Sequence, residues 1–145
     1  MDKKKSFQSL FKYIDYFESV SNQIINNPSQ ENPVIKEFVS HYPVYDDELN
    51  TFIEAVYHSE ILMRDYIGYL EEKFPGKQWA IDDIEAADLT TLRAMLTKCV
   101  RAERFYVGSW GKFARDGYFL AILRRLEKLL NKKFIICHYK ACDDR

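Results

Sequence analysis

Residues 96–126 read LTKCVRAERFYVGSWGKFARDGYFLAILRRL, and this stretch decides the fold. It holds three of the chain's five glycines, one of its two tryptophans and the densest group of arginines. Apolar residues at Leu89, Leu92, Leu96, Cys99, Val100 and Val107 recur at helical spacing, so a helix runs toward Gly108. Gly108 suits the left-handed position that follows a helix. Ser109 then caps a short helix through Arg115, and Gly117 ends it. From Tyr118 to Leu130 the stripe Phe119, Ile122, Leu123, Leu126, Leu129 and Leu130 defines a last helix. The stretch is therefore helix, turn, helix, turn, helix.

The rest of the chain extends this pattern. Phe7, Leu10, Phe11, Ile14, Phe17, Val20 and Ile24 predict a helix over 6–25, capped by Ser6 and stopped at Asn26-Asn27-Pro28. Three of the four prolines fall in 26–45, which reads as a loop. Within it Val34, Ile35, Phe38 and Val39 suggest one short helical turn, and His41-Tyr42-Pro43 should be extended. Asp46 or Asp47 caps a second helix with Leu49, Phe52, Ile53, Val56 and Tyr57 inward. A break at His58-Ser59-Glu60 precedes Ile61, Leu62, Tyr66, Ile67 and Leu70, which read as a third helix or a bent extension of the second, and Phe74-Pro75-Gly76 ends it. Trp79 and Ile81 anchor the next connection, and Asp88 caps the helix of the opening stretch. Past Asn131, Phe134-Ile135-Ile136-Cys137 reads as a short extended segment or a packed tail.

The expectation is an all-α fold: one domain over 1–145 with five or six helices and a tail at 132–145. The length is enough for a sizeable core, and 47% apolar residues exclude a disordered chain. No apolar run reaches the roughly 18 residues of a membrane span. The basic opening of the chain lacks the apolar core of a signal peptide, because Gln8, Lys12, Asp15 and Glu18 interrupt it. With three cysteines, an odd number, the expected location is the cytoplasm.

The net charge of −1 hides a split. Residues 1–92 carry 8 basic and 17 acidic side chains, and residues 93–133 carry 11 and 3. Either the acidic half neutralises the basic one, within a chain or across a homodimer, or 93–133 is a face for an anionic ligand or nucleic acid. The first is preferred, since nucleic-acid binders are usually basic overall.

Between Thr97 and Leu126 the chain resembles a bacterial family, domain of unknown function 6508. Arg101, Glu103, Arg104 and Phe105 carry the resemblance, followed by Gly108 and Trp110, Gly117, and Leu120, Leu123, Arg125 and Leu126. Tyr42, Pro43 and Tyr45 ahead of an acidic helix fit as well. Members often have Cys and Asp where this chain has Tyr106 and Val107, and the tail from Cys137 is outside the pattern. The resemblance implies an all-helical domain and carries no catalytic residue over.

Glu103 is the residue of most chemical interest. Its helical spacing places it beside the buried stripe, where a carboxylate needs a cationic partner or a proton. The preferred reading is an ion pair with Arg124 or Arg125 that fixes a helix crossing; the other is a general base. Arg101, Arg104, Arg124 and Arg125, with Trp110 nearby, form the candidate ligand-binding set for an anion. Their spacing does not put all four on one face, so pairing with the acidic half is favoured.

Gly108-Ser109-Trp110-Gly111 lacks the Lys-Ser/Thr element and the preceding strand of a phosphate loop. Cys137, His138 and Cys142 lack the paired spacing of a zinc site, so no metal and no cofactor is expected. With no catalytic dyad in view, the expected function is a non-enzymatic binding or interaction module, compatible with a homodimer. A small enzyme or anion-binding domain using Glu103 is the alternative.

Overall fold

The first departure from an all-helical chain comes where the prolines cluster. Val34 is buried, and from Ile35 the backbone runs as an antiparallel hairpin instead of a helical turn. Strand β1 (Ile35–Val39) pairs with β2 (Tyr42–Tyr45), matching Ile35 with Tyr45 and Val39 with Tyr42, with a register shift between Ile35 and Glu37. Ser40 and His41 make the turn with φ of 50° and 71°. Two successive left-handed residues give the twist that a two-residue hairpin needs. His41 is therefore a turn residue and not extended.

The computed structural model describes residues 7–26, 32–76 and 78–143, the last twelve as helical backbone. Seven α-helices accompany the hairpin among these residues. They are α1 (Ile14–Asn26), α2 (Asp47–His58), α3 (Tyr66–Lys73), α4 (Ile81–Glu85), α5 (Leu89–Arg101), α6 (Ser109–Arg115) and α7 (Tyr118–Asp143). The fold is mostly helical but not all-α. A tight 3-10 turn at Phe11–Tyr13 precedes α1, and another at Ala102–Arg104 follows α5. The expected Ser6 cap and the Asn27-Pro28 stop lie outside the described residues.

The stretch 134–137 is helical, not extended. It continues α7, which reaches Asp143. A strand there had no partner, and an established helix adds each further residue at little entropic cost.

Residues 61–65 are also not helical, so α3 begins only at Tyr66. The reason lies on α5. The Arg93 guanidinium donates to the carbonyls of Ile61 at 2.8 Å and Leu62 at 3.2 Å. The Thr97 hydroxyl accepts from the Met63 N–H at 2.9 Å. Two side chains one helical turn apart thus satisfy an irregular loop that would otherwise bury unpaired backbone.

Helix α7 packs against α1, α4, α5 and α6, so the core forms around it. Phe17 of α1, Phe52 of α2 and Phe119 of α7 are fully buried and meet in pairs with centroids 4.9–5.5 Å apart. Helix α5 is buried on most of its circumference; even Thr91 and Thr97 are buried. Their hydroxyls bond Tyr69 and the Arg93 carbonyl, which removes the penalty of burying them.

Asp88 caps α5 as its sequence position predicts, accepting from the Thr91 N–H at 2.9 Å. Bonds from Thr91 hold its carboxyl below the usual carboxylate range. Asp88→Ala should therefore cost about 1 kcal/mol. A lowered folded pKa means the cap stabilises above the ordinary carboxylate pKa and fades as pH falls below it. Urea titrations of both proteins at pH 7 and pH 3 should show the gap shrinking at the lower pH.

Asp46 occupies the N-cap position of α2 without capping it. Its carboxylate instead accepts the Tyr16 hydroxyl of α1 at 3.0 Å.

Candidate functional site

Helix α5 stops at Arg101 rather than running on toward Gly108, and the 3-10 turn through Arg104 reverses the chain. Gly108, at φ 96°, then starts α6. This φ is open to glycine and strained for other residues. Ser109 is the first residue of α6, not its cap; its hydroxyl donates to the Tyr106 carbonyl at 2.6 Å.

The cap comes from Glu103. Its carboxylate accepts from the Gly108 N–H at 3.0 Å and from the Trp110 N–H at 2.9 Å. The Tyr45 hydroxyl, from β2, donates to the same carboxylate at 3.0 and 3.1 Å to its two oxygens. The expected ion pair with Arg124 or Arg125 is absent, and Glu103 meets no arginine among the described residues. Free N–H groups and the dipole at the start of a helix supply the positive partner instead.

Tyr45 and Trp110 complete this clasp. Their rings lie 5.6 Å apart, and the Trp110 indole N–H donates to the Val100 carbonyl at 2.7 Å. Burial, and then the Glu103 charge, push the Tyr45 hydroxyl above its ordinary pKa. Asn32 donates to the Gly111 carbonyl at 2.8 Å, which seats the hairpin on α6.

Gly111 is small for a reason visible here. A Cβ on it would lie 3.0 Å from Asn32 Nδ2 and 3.2 Å from the Tyr45 ring. Both neighbours are pinned by the hydrogen bonds just described, so neither yields easily. Gly111→Ala should cost roughly 1–3 kcal/mol. Thermal melts would check this, and a neutral or stabilising result would show that the hairpin is loosely seated.

The four arginines do not gather at one place. Arg124 pairs with Glu18 of α1, and Arg125 donates to the Ala87 carbonyl at 2.9 Å. Arg101 lies over the Tyr66 ring, 5.8 Å from its centroid. Arg104 is exposed. Among the described residues one ion pair, Arg124–Glu18, joins the acidic and basic halves, while Arg93 and Arg125 mainly bind carbonyls. Arginines that hold loops leave no trace in a charge count.

A larger feature lies beside the clasp. A cleft of about 680 Å³ opens between α3, the end of α5 and the start of α6. Tyr66, Leu70, Phe74, Trp79 and Phe113 form much of its wall. Its rim carries Phe105, Tyr106 and Ile67, which are 70%, 76% and 65% exposed, and Val107 is exposed with them. Val107 and Ile67 were expected to face inward. They do not: α5 ends six residues before Val107, and α3 buries Tyr66 and Leu70 instead of Ile67. The clue in the sequence is the apolar triplet Phe105-Tyr106-Val107, which keeps no helical phase between Glu103 and Gly108. Glu103, Trp110 and the arginines do not line this cleft.

Among the described residues no three of His, Cys, Asp and Glu gather to hold a metal ion. The side chains of Cys137, His138 and Cys142 lie outside the described residues. Cys99 is a buried free thiol, pushed up in pKa by that burial and unsuited to act as a nucleophile. Among the described residues no helix is long and apolar enough to cross a membrane.

Residues 2–132 match a family described as "Family of unknown function (DUF6508)". The match stops short of the C-terminal end of α7. No curated protein and no solved structure matches the chain.

Proposed function

The chain belongs to the DUF6508 family, and we propose that it is a non-enzymatic binding module whose working surface is the aromatic cleft. The exposed Phe105–Val107 segment and Ile67 around a cleft of about 680 Å³ carry this reading. Ligand sites are commonly concave, mostly apolar and of this size. Grouped exposed apolar side chains mark interaction sites more often than scattered ones do.

The clasp supports a non-catalytic role. Both oxygens of Glu103 already accept hydrogen bonds from Tyr45, Gly108 and Trp110. A general base must also face its substrate, and Glu103 does not line the cleft. What Glu103 does is hold Gly108, and so present residues 105–107 outward. A cytoplasmic setting belongs to the same reading, supported by the free thiol of Cys99.

A fragment screen followed by amide chemical shifts tests it. Shifts should concentrate on Ile67, Trp79 and residues 105–113. The double variant Phe105→Ser, Tyr106→Ser should abolish those responses while changing stability by no more than about 0.5 kcal/mol, as usual for exposed positions. Shifts scattered over the molecule, or unchanged in the double variant, would overturn the reading.

A further inference from the structure

The cleft is mostly apolar, and two lysines stand among the polar side chains that line it, with Glu71, Gln78, Ser109 and the hydroxyls of Tyr66 and Tyr106. Lys98 is half-buried on α5 and lines the cleft, with Nζ 6.0 Å from the ring centroid of Trp79. Lys112 lines it from α6. Neither lysine has a carboxylate partner among the described residues. The acid in the lining, Glu71, already accepts the Gly76 N–H at 3.3 Å.

Two buried donors nearby also lack acceptors among the described residues. One is the indole N–H of Trp79, a wall residue only 2% exposed. The other is Nε of Arg101, whose guanidinium lies over Tyr66, another wall residue. An unpartnered buried donor is costly and calls for an explanation. Arg101, one turn further along α5 than Lys98, holds its guanidinium over the Tyr66 ring and does not itself line the cleft.

We propose that the cleft takes a small amphipathic anion: a flat apolar or aromatic body between Phe105 and Phe113, with a carboxylate drawn to Lys98. This rests on the binding-module reading above and gives its ligand a chemical class. The aromatic walls supply burial and ring contacts. A partly desolvated lysine without a counter-charge supplies selectivity for an anion over a neutral or cationic analogue.

Three probes of one shape separate the possibilities: 2-naphthoate, 2-naphthamide and 2-naphthylmethylammonium. Each is titrated into the full chain, following the Trp79 indole N–H and the amides of residues 105–113. The carboxylate should bind about tenfold tighter than the amide, the scale of one charge-assisted hydrogen bond. The ammonium should bind weakest. Lys98→Gln should bring the carboxylate to the level of the amide and leave amide binding unchanged. Lys112→Gln should have a smaller effect in the same direction.

Equal binding of carboxylate and amide by the unaltered protein would overturn the anion assignment and leave the cleft as a binding surface. So would a carboxylate preference that survives both lysine variants. If none of the three probes moves the cleft resonances, both this proposal and the binding-module reading fall.

Discussion

Phe119→Ala is expected to destabilise the protein by about 4 kcal/mol, lowering the melting temperature by roughly 12 °C. The position explains the size. Phe119 has no exposed surface, and its ring lies 5.5 Å from Phe17, 5.2 Å from Phe52 and 6.3 Å from Phe113. Those rings belong to α1, α2 and α6, while Phe119 itself lies in the first turn of α7. One side chain therefore joins four helices, and α1 and α2 are distant in sequence from α6 and α7. Removing it leaves a cavity bordered by rings that are themselves tied to separate elements, so collapse is limited. Total stabilities of domains this size are about 5–15 kcal/mol, so the variant should be marginal. Phe119→Leu, which keeps most of the volume, should lose only about 1–1.5 kcal/mol. Urea unfolding of the two variants checks this. A loss below about 1 kcal/mol for alanine would show that the four helices are held independently of this cluster.

Much of this core is legible in the sequence because helical burial is periodic. Phe17, Phe52 and Phe119 each sit on a stripe at steps of three and four, and Asp88 and Gly117 mark ends where they should. What fails to show has a physical cause in each case. The hairpin turn is Ser40-His41, without the glycine or asparagine that usually signals two left-handed residues. Its second strand contains Pro43, which a two-stranded ribbon tolerates because one side of each strand is an open edge. Residues 61–65 look periodic, yet Arg93 and Thr97 on α5 capture their backbone. The partners of Glu103 are hidden for a similar reason. Tyr45 is 58 residues away, and the other donors are main-chain N–H groups that any residue carries. Charge in the sequence points to arginine; the fold answers with a helix terminus.

That difference can be measured directly at Glu103. Glu103→Gln should cost about 3 kcal/mol, nearly as much as Glu103→Ala. An ion-pair role and a capping role diverge on this point only when the acceptors are counted. The carboxylate offers two oxygens, one taking the Trp110 N–H and the other the Gly108 N–H, with the Tyr45 hydroxyl shared. Glutamine keeps one acceptor and turns an NH₂ group toward a donor that needs one. It therefore leaves an N–H unpaired and adds a repulsive contact. Residues 105–107 should loosen with it, so amide exchange there should quicken even where the core is intact. The pH dependence gives a second, independent readout. Burial and the Glu103 charge raise the Tyr45 hydroxyl above its ordinary pKa. A group with a raised folded pKa contributes stability that is complete below its unfolded pKa, about 10 for tyrosine, and is lost as pH rises beyond it. The unaltered protein should thus lose stability more steeply above pH 10 than Tyr45→Phe does. In Glu103→Gln that alkaline loss should be smaller, because the neighbouring negative charge is gone while the burial of Tyr45 remains. If Glu103→Gln melts with the unaltered protein and the alkaline slopes coincide, the clasp does not hold α6 to the hairpin.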